Sequence, residues 1–389
     1  MNADDVLAVL SRGEDSRHQF KENIAHIDAL AAELVAFANS GGGLLIVGAT
    51  DAGDVVGLTT ADIARLNQLL SNAASQSVRP PVNPLSFNVQ TAQGLLMVIQ
   101  TPAGLNPPYT DHQGRIWVKS GADKRHVTAR EEMQRLFQQA GLIYADEVPV
   151  AQATIEQIDQ RTLADYMESR YRQSLEETGQ PLTRLLQNMG LLRDGVLTLA
   201  GLLLFAKRPE QFRPAFMIKA VAISGRELRE TRYLDSEDIF DRLAGQYQRA
   251  LGFIKRNLHH LQGDQGVNSL GILEIPEIVF QELLVNALIH RDYFISAPIR
   301  VLVFTDRVEI SNPGHLPNHL NVEQLRFGLS NMRNPLLASH ATHLLPYRGL
   351  GSGIPRALHA WPSIELVDDR VGNQFKVIIP RPATGHGPS

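Results

Sequence analysis

The sequence predicts an α+β protein of two or three domains, and three observations predict it. At 389 residues the chain is longer than one hydrophobic core ordinarily organises. Residues 1–140 alternate strand-like and helix-like runs. Towards the other end a helix-like run, Glu282 to His290, precedes two strand-like runs, Ile299 to Phe304 and Arg307 to Ser311. Two glycine-marked turns follow, Asn312-Pro-Gly314 and Gly349-Leu-Gly351-Ser-Gly353.

In the N-terminal block, Ile27, Leu30, Ala31, Leu34, Val35 and Ala38 fall at helical spacing, and Asn39-Ser-Gly-Gly-Gly43 stops that helix. Leu44 to Gly48 is a buried strand, and Asp51-Ala-Gly53 turns the chain back into Val55 and Val56. Ala61 to Gln76 is helical, and Leu95 to Thr101 and Arg115 to Lys119 are further strands. Thr128 and Glu131 form a capping box for a helix ending near Gly141. The first domain is therefore 1–141. Pro149 and small polar residues mark 142–154 as a linker. Residues 155–269 read as a mostly helical connecting or oligomerisation block around a strand at Ala215 to Ser224, with a helix from Ile239 to Leu258 and a loop at 262–269. Residues 270–380 form the last domain and 381–389 a disordered tail.

Composition excludes several classes. Hydrophobic residues at 43% and charged residues at 20% suit a globular chain. Zero cysteines exclude disulfides, thiolate metal sites and cysteine nucleophiles. No charged-then-apolar leader opens the sequence, and the longest apolar run, Leu197 to Ala206, is far short of the ~20 residues that span a bilayer. A cytoplasmic location without membrane association is expected. The net charge of −4 does not exclude nucleic acid, because local patches outweigh totals. Thirteen histidines include the pair His340 and His343, which reads as polar or capping because no third ligand stands at a characteristic spacing.

Glu282 and Asn286, four residues apart, share one face of a helix. Asn286 can give an oxygen to Mg²⁺ while Glu282 polarises a neighbouring water. The glycines at 349, 351 and 353, running into a helix start, suit backbone N–H contacts with phosphates. The bland alternative is a buried helix with a bridging Asn.

That order resembles the GHKL ATPase superfamily, and specifically its branch described as the RecG-like C-terminal ATP-binding domain, over about residues 270–380. The resemblance implies a Bergerat-like α/β sandwich that binds ATP with Mg²⁺. It implies Glu282 as the group that activates water and Asn286 as the Mg²⁺ ligand. Asn312 and Gly314 would stand where the superfamily has an Asp-x-Gly that reads adenine. An Asn can accept from the adenine N6 amino group and donate to N1, without the carboxylate's charge. Gly349, Gly351 and Gly353 would face the phosphates, under a lid that includes Arg333, Asn334 and Arg348. Homo-oligomerisation is implied by the same analogy.

In the N-terminal block, Glu14 with Gln19-Phe-Lys21, the Asn39-Ser-Gly-Gly-Gly43 stop, Gly48-Ala-Thr-Asp51, and Ile116-Trp-Val-Lys-Ser-Gly121 resemble a Schlafen-type AlbA-like domain. The resemblance implies nucleic-acid binding, DNA or RNA, and in some members metal-dependent cleavage by three carboxylates. Those positions here are Glu14, Gln19 and Asp51, so one carboxylate is an amide; Asp15 is a candidate substitute. Removing a carboxylate weakens a hard-cation site. Arg17, Lys21, Arg115, Lys119, Lys124 and Arg125, with Trp117 among them, suit phosphate contact plus base stacking. Three functions follow in order of preference: an ATP-gated nucleic-acid-binding protein of the transcription-regulator type, a Schlafen-type nuclease used in antiviral defence, and a self-associating scaffold with degenerate modules.

Overall fold

A computed structural model describes residues 1–105, 107–229, 233–261, 271–317 and 320–382. The expected loop at 262–269 and most of the expected tail lie outside the described residues. The chain divides into two compact units, Met1–Ile143 and Tyr144–Ser389. Both mix helix and strand, so the protein is α+β.

In the first unit, strand His18–Lys21 runs parallel to Gly43–Val47, with helix Ile27–Asn39 as the crossover. Leu95–Thr101 and then Leu85–Gln90 extend the sheet in antiparallel fashion. Period-two alternation splits the buried strand between two cores. Leu45 and Val47 pack with Leu30, Leu34 and Phe37 of the crossover helix and with Leu66 and Leu70 of helix Thr60–Asn72. Ile46 faces the other way, onto Val6 and Leu10 of helix Ala3–Leu10. Thr59 caps its helix through Asp62. A hairpin of Trp117–Ser120 with Asp123–His126 precedes helix Arg130–Gln139. That helix starts with Ala129 at its cap; the Glu131 side chain of the expected box with Thr128 lies outside the described residues.

The second unit is built on one six-stranded sheet in the order Tyr233–Ile239, Ile218–Ile223, Ile299–Val303, Arg307–Pro313, Gln374–Pro380, Glu365–Asp369. Ile218–Ile223 pairs in parallel with Ile299–Val303, so residues 155–269 contribute two strands to the sheet of residues 270–380. Ala220, Ala222, Val301 and Val303 face a core shared with helices Leu243–Asn257 and Glu277–His290. Val221, Ile223, Leu302 and Phe304 lie on the opposite face.

Three differences from the sequence reading fall in the second unit. Pro149–Thr154, read within a linker, pairs with Val196–Thr198. Tyr233–Ile239, unread because it carries Asp235, Glu237 and Asp238, is an edge strand. Arg256 holds Asp235 (2.7 Å) and Arg249 holds Glu237 (2.7 Å) from the neighbouring helix; charged edges resist edge-to-edge pairing. Ile239 ends that strand, and the helix begins at Leu243.

Candidate functional site

The helix Glu277–His290 is apolar almost all round, with Val279, Phe280, Leu283, Leu284, Val285, Leu288 and Ile289 buried. Against that background Glu282 and Asn286 open into a pocket of the second unit. Asn286 Nδ2 donates to the Glu282 main-chain carbonyl at 2.7 Å, which leaves its Oδ1 as the atom able to meet a cation. Strand Arg307–Pro313 brings Asn312 to the same pocket, and Gly314, at φ +95°, makes the turn beyond it. A Cβ at Gly314 would lie 2.5 Å from Asp292 Cβ and 2.9 Å from Arg333 Nη1. Gly349, Gly351 and Gly353 form the wall that leads into helix Gly353–Ala360, whose first turn has no side-chain cap.

Asn312 is 8% exposed, and its Oδ1 is buried without a hydrogen-bond partner. A buried acceptor left unpaired is costly and asks for a donor. Glu282 is 6% exposed and pairs with Arg356 Nη2 at 2.8 Å. Burial holds its carboxyl above the usual range, against the opposing pull of Arg356 and Arg348. His290 also lines the pocket, near Tyr347 (3.5 Å). Burial drives its pKa down to about 4, aided by the charge of Arg333 against an opposing main-chain hydrogen bond, so it is neutral at pH 7.

The pocket gathers Glu282, Asn286, Asn312, Gly314, Arg333, Arg348 and the three glycines. Asn334 does not join them. It is 1% exposed, and its Nδ2 donates to the carbonyls of Ile289 and Arg291, 2.8 Å each, tying down the end of the Glu282 helix from behind. Arg333 donates to His315 O, and burial pulls its pKa down. Arg356 and Gly328 were missed. Arg356 lies one turn past the last glycine, a spacing that could have pointed to it. Gly328 opposes Gly351 so closely that a Cβ on Gly351 would overlap the Gly328 carbonyl, and nothing local announces that contact. Behind the pocket, Arg291 is sandwiched between Phe216 (4.5 Å) and Tyr293 (5.0 Å).

In the first unit the three candidate ligand positions do converge, but on ammonium groups. Glu14 Oε1 accepts from Gln19 Nε2 and from Phe20 N (2.7 Å). Lys21 Nζ lies 2.8 Å from Asp51 and 3.9 Å from Glu14. Lys119 Nζ donates to Gln19 Oε1 and to Ala122 O (2.8 Å), 3.8 Å from Glu33. The side chain of Lys119 is 1% exposed, and burial lowers its pKa while Glu33 raises it. Asp15 instead holds the main-chain N–H groups of Arg17 and His18. Among the described residues, no three His, Cys, Asp or Glu side chains are grouped to hold a metal. A divalent cation does not fit between Glu14 and Asp51 with Lys21 in place.

Of the basic set, Lys119 is thus interior. Lys124 pairs with Glu33 (2.6 Å), Arg125 with Glu132 (2.6 Å), and Arg115 with Asp111 (2.7 Å) while lying over Trp117. Arg17 is exposed.

Family models match the chain in three stretches. "Schlafen, AlbA_2" covers residues 14–128, and "Putative ATP-dependent DNA helicase recG C-terminal" covers 296–377. The protein carries a Schlafen AlbA_2 domain and a RecG-type C-terminal domain. A domain of unknown function matches 134–219 between them. The RecG-type match begins after Glu282 and Asn286, which the fold places beside it. Among solved structures, the DIP2311 protein of Corynebacterium diphtheriae is 21% identical, covering 97% of this chain and 79% of its own at a TM-score of 0.43. The N-terminal domain of a RecG-related protein of Nitrosomonas europaea is 23% identical, covering 33% of this chain and 96% of its own at a TM-score of 0.25. No curated protein matches the chain.

The RecG-type pocket fits a nucleotide on two observations. Asn312 has an unsatisfied acceptor for a base amino group, and the glycine wall opens backbone N–H groups at a helix start. No described helix is long and apolar enough to cross a membrane.

Proposed function

We propose that this is a nucleotide-regulated nucleic-acid-binding protein, in which the RecG-type pocket takes ATP with Mg²⁺ and its occupancy gates the Schlafen AlbA_2 domain. The observation that carries this reading is the buried, unpartnered Asn312 Oδ1 in the pocket that also holds Glu282, Asn286 and the glycine wall. Asn312 accepts from the adenine amino group. The N–H groups at the start of helix Gly353–Ala360 receive phosphate oxygens. Asn286 Oδ1 would be the residue's contribution to holding the Mg²⁺, and Arg348 adds positive charge to the pocket lining. Bound Mg²⁺ supplies neutralisation of the phosphate charge. Glu282, held above the usual carboxylate range by burial, is the group that takes a proton from water.

The Schlafen AlbA_2 domain is read as binding nucleic acid without cutting it, because Lys21 and Lys119 stand where a divalent cation would have to go. Titration calorimetry with Mg²⁺ and ATP tests the pocket. Wild-type protein binds, and Asn286→Ala loses the Mg²⁺ dependence. Glu282→Ala keeps ATP while turnover falls by ~10²-fold, the usual range for a lost general base. Wild-type protein that binds no ATP would end the nucleotide reading.

A further inference from the structure

Arg356 sits one turn into the helix that follows the glycine wall, and its guanidinium turns back into the pocket. Its Nη2 lies 2.8 Å from Glu282 Oε1, and its Nε faces Ser352 O at 3.4 Å. The Glu282 side chain is 8% exposed and that of Arg356 30%, so the pair is poorly screened by water. A carboxylate held this way has one oxygen turned to the guanidinium and not to a water. Its charge is compensated, and Arg356 occupies one of its oxygens. The same guanidinium is also one turn from the N–H groups that a phosphate chain would meet. Guanidinium groups bind phosphate with the same fork geometry they use for carboxylate. An incoming phosphate and Glu282 therefore compete for Arg356.

Resting on the nucleotide reading above, we propose that Arg356 is a positioning residue that tells a nucleoside triphosphate from a diphosphate. Paired as in the structure, it neutralises Glu282. With a triphosphate in the pocket it turns to the terminal phosphate and leaves the Glu282 carboxylate unpaired. A diphosphate lacks the group that draws Arg356 away, so the pair stays closed after turnover.

The test compares affinities of the full-length protein for Mg²⁺-ADP and for a non-hydrolysable ATP analogue. Wild type prefers the triphosphate by roughly tenfold, the scale of one hydrogen bond to a charged group. Arg356→Gln abolishes that preference while ADP affinity stays within about twofold, and Arg356→Lys restores part of it. Glu282→Gln frees Arg356 from its competitor, so affinity for the analogue rises several-fold and ADP affinity does not move. A merely structural pair would weaken both nucleotides together in either variant. Wild type without a triphosphate preference, an unchanged preference in Arg356→Gln, or weaker analogue binding in Glu282→Gln would each overturn the role of Arg356 while leaving the nucleotide pocket standing. Failure of wild type to bind either nucleotide would remove the pocket reading itself.

Discussion

Gly353 packs so tightly on Asn286 that a Cβ built on the glycine would overlap the carboxamide nitrogen and lie 3.0 Å from Glu282 Oε2. The glycine wall and the Glu/Asn pair are thereby one surface, with no room between them for a side chain. The backbone of Gly353 has no left-handed φ, so alanine costs nothing in local conformation and acts only through this contact. Gly353→Ala should lower Mg²⁺-ATP affinity by ~10-fold or more, as displaced binding groups do, with a melting temperature close to wild type. Calorimetry beside a thermal melt checks both halves.

Asn312 separates binding from stability in the opposite sense. Its orphan Oδ1 is a cost to the fold, and replacing an unpaired buried polar group by an apolar one of similar size is neutral or favourable. Asn312→Leu should keep or raise the melting temperature while weakening ATP by roughly 10-fold or more, because the base amino group loses its acceptor. A variant that loses stability and retains affinity would place the base elsewhere.

Two buried groups set opposing pH dependences in the second unit. His340 accepts from Tyr166 OH and faces Met189 O (3.1 Å), and burial lowers its pKa to about 4. Its folded value lies below the unfolded one, so its contribution is present above about pH 6.5 and is lost as pH falls towards 4. Asp146, fully buried, accepts from Leu337 N at 2.9 Å, and burial raises its pKa to about 6. Its contribution is present below about pH 4 and is lost as pH rises through 6. His340→Gln should flatten the fall in stability between pH 7 and pH 5, and Asp146→Asn should steepen it. Urea midpoints at the two pH values measure the difference.

The first unit separates interior from surface cations. Arg17→Glu with Arg125→Glu should weaken single-stranded nucleic acid by ~10-fold or more at low salt and reduce the slope of affinity against salt. Lys119→Met should act on stability instead, because it leaves buried Gln19 Oε1 without its donor and Glu33 with Lys124 alone, a loss of up to ~3 kcal/mol. With tRNA or single-stranded DNA and Mn²⁺, the wild type should leave the substrate uncut. Gln19→Glu should gain no measurable Mn²⁺ affinity, because Lys21 and Lys119 still stand in the cation's place. Wild-type cleavage that disappears in Glu14→Ala would instead favour the nuclease.

Local periodicity carried much of this protein in its sequence. The helix with Glu282 and Asn286 on one face, the buried strand after Asn39-Ser-Gly-Gly-Gly43, and the glycines that end in a helix start all depend on neighbours within a turn or two. Spacing alone therefore located them. Tertiary structure decided whatever depends on a distant partner. It put Ile218–Ile223 beside Ile299–Val303, drew Lys119 inside onto Gln19 across 100 residues, turned Asn334 away from the pocket to hold Ile289 and Arg291, and set Arg356 on Glu282. A lysine reads the same on paper whether it meets solvent or a buried carboxylate. The energy that distinguishes the two comes from desolvation and pairing, and both are properties of the assembled core.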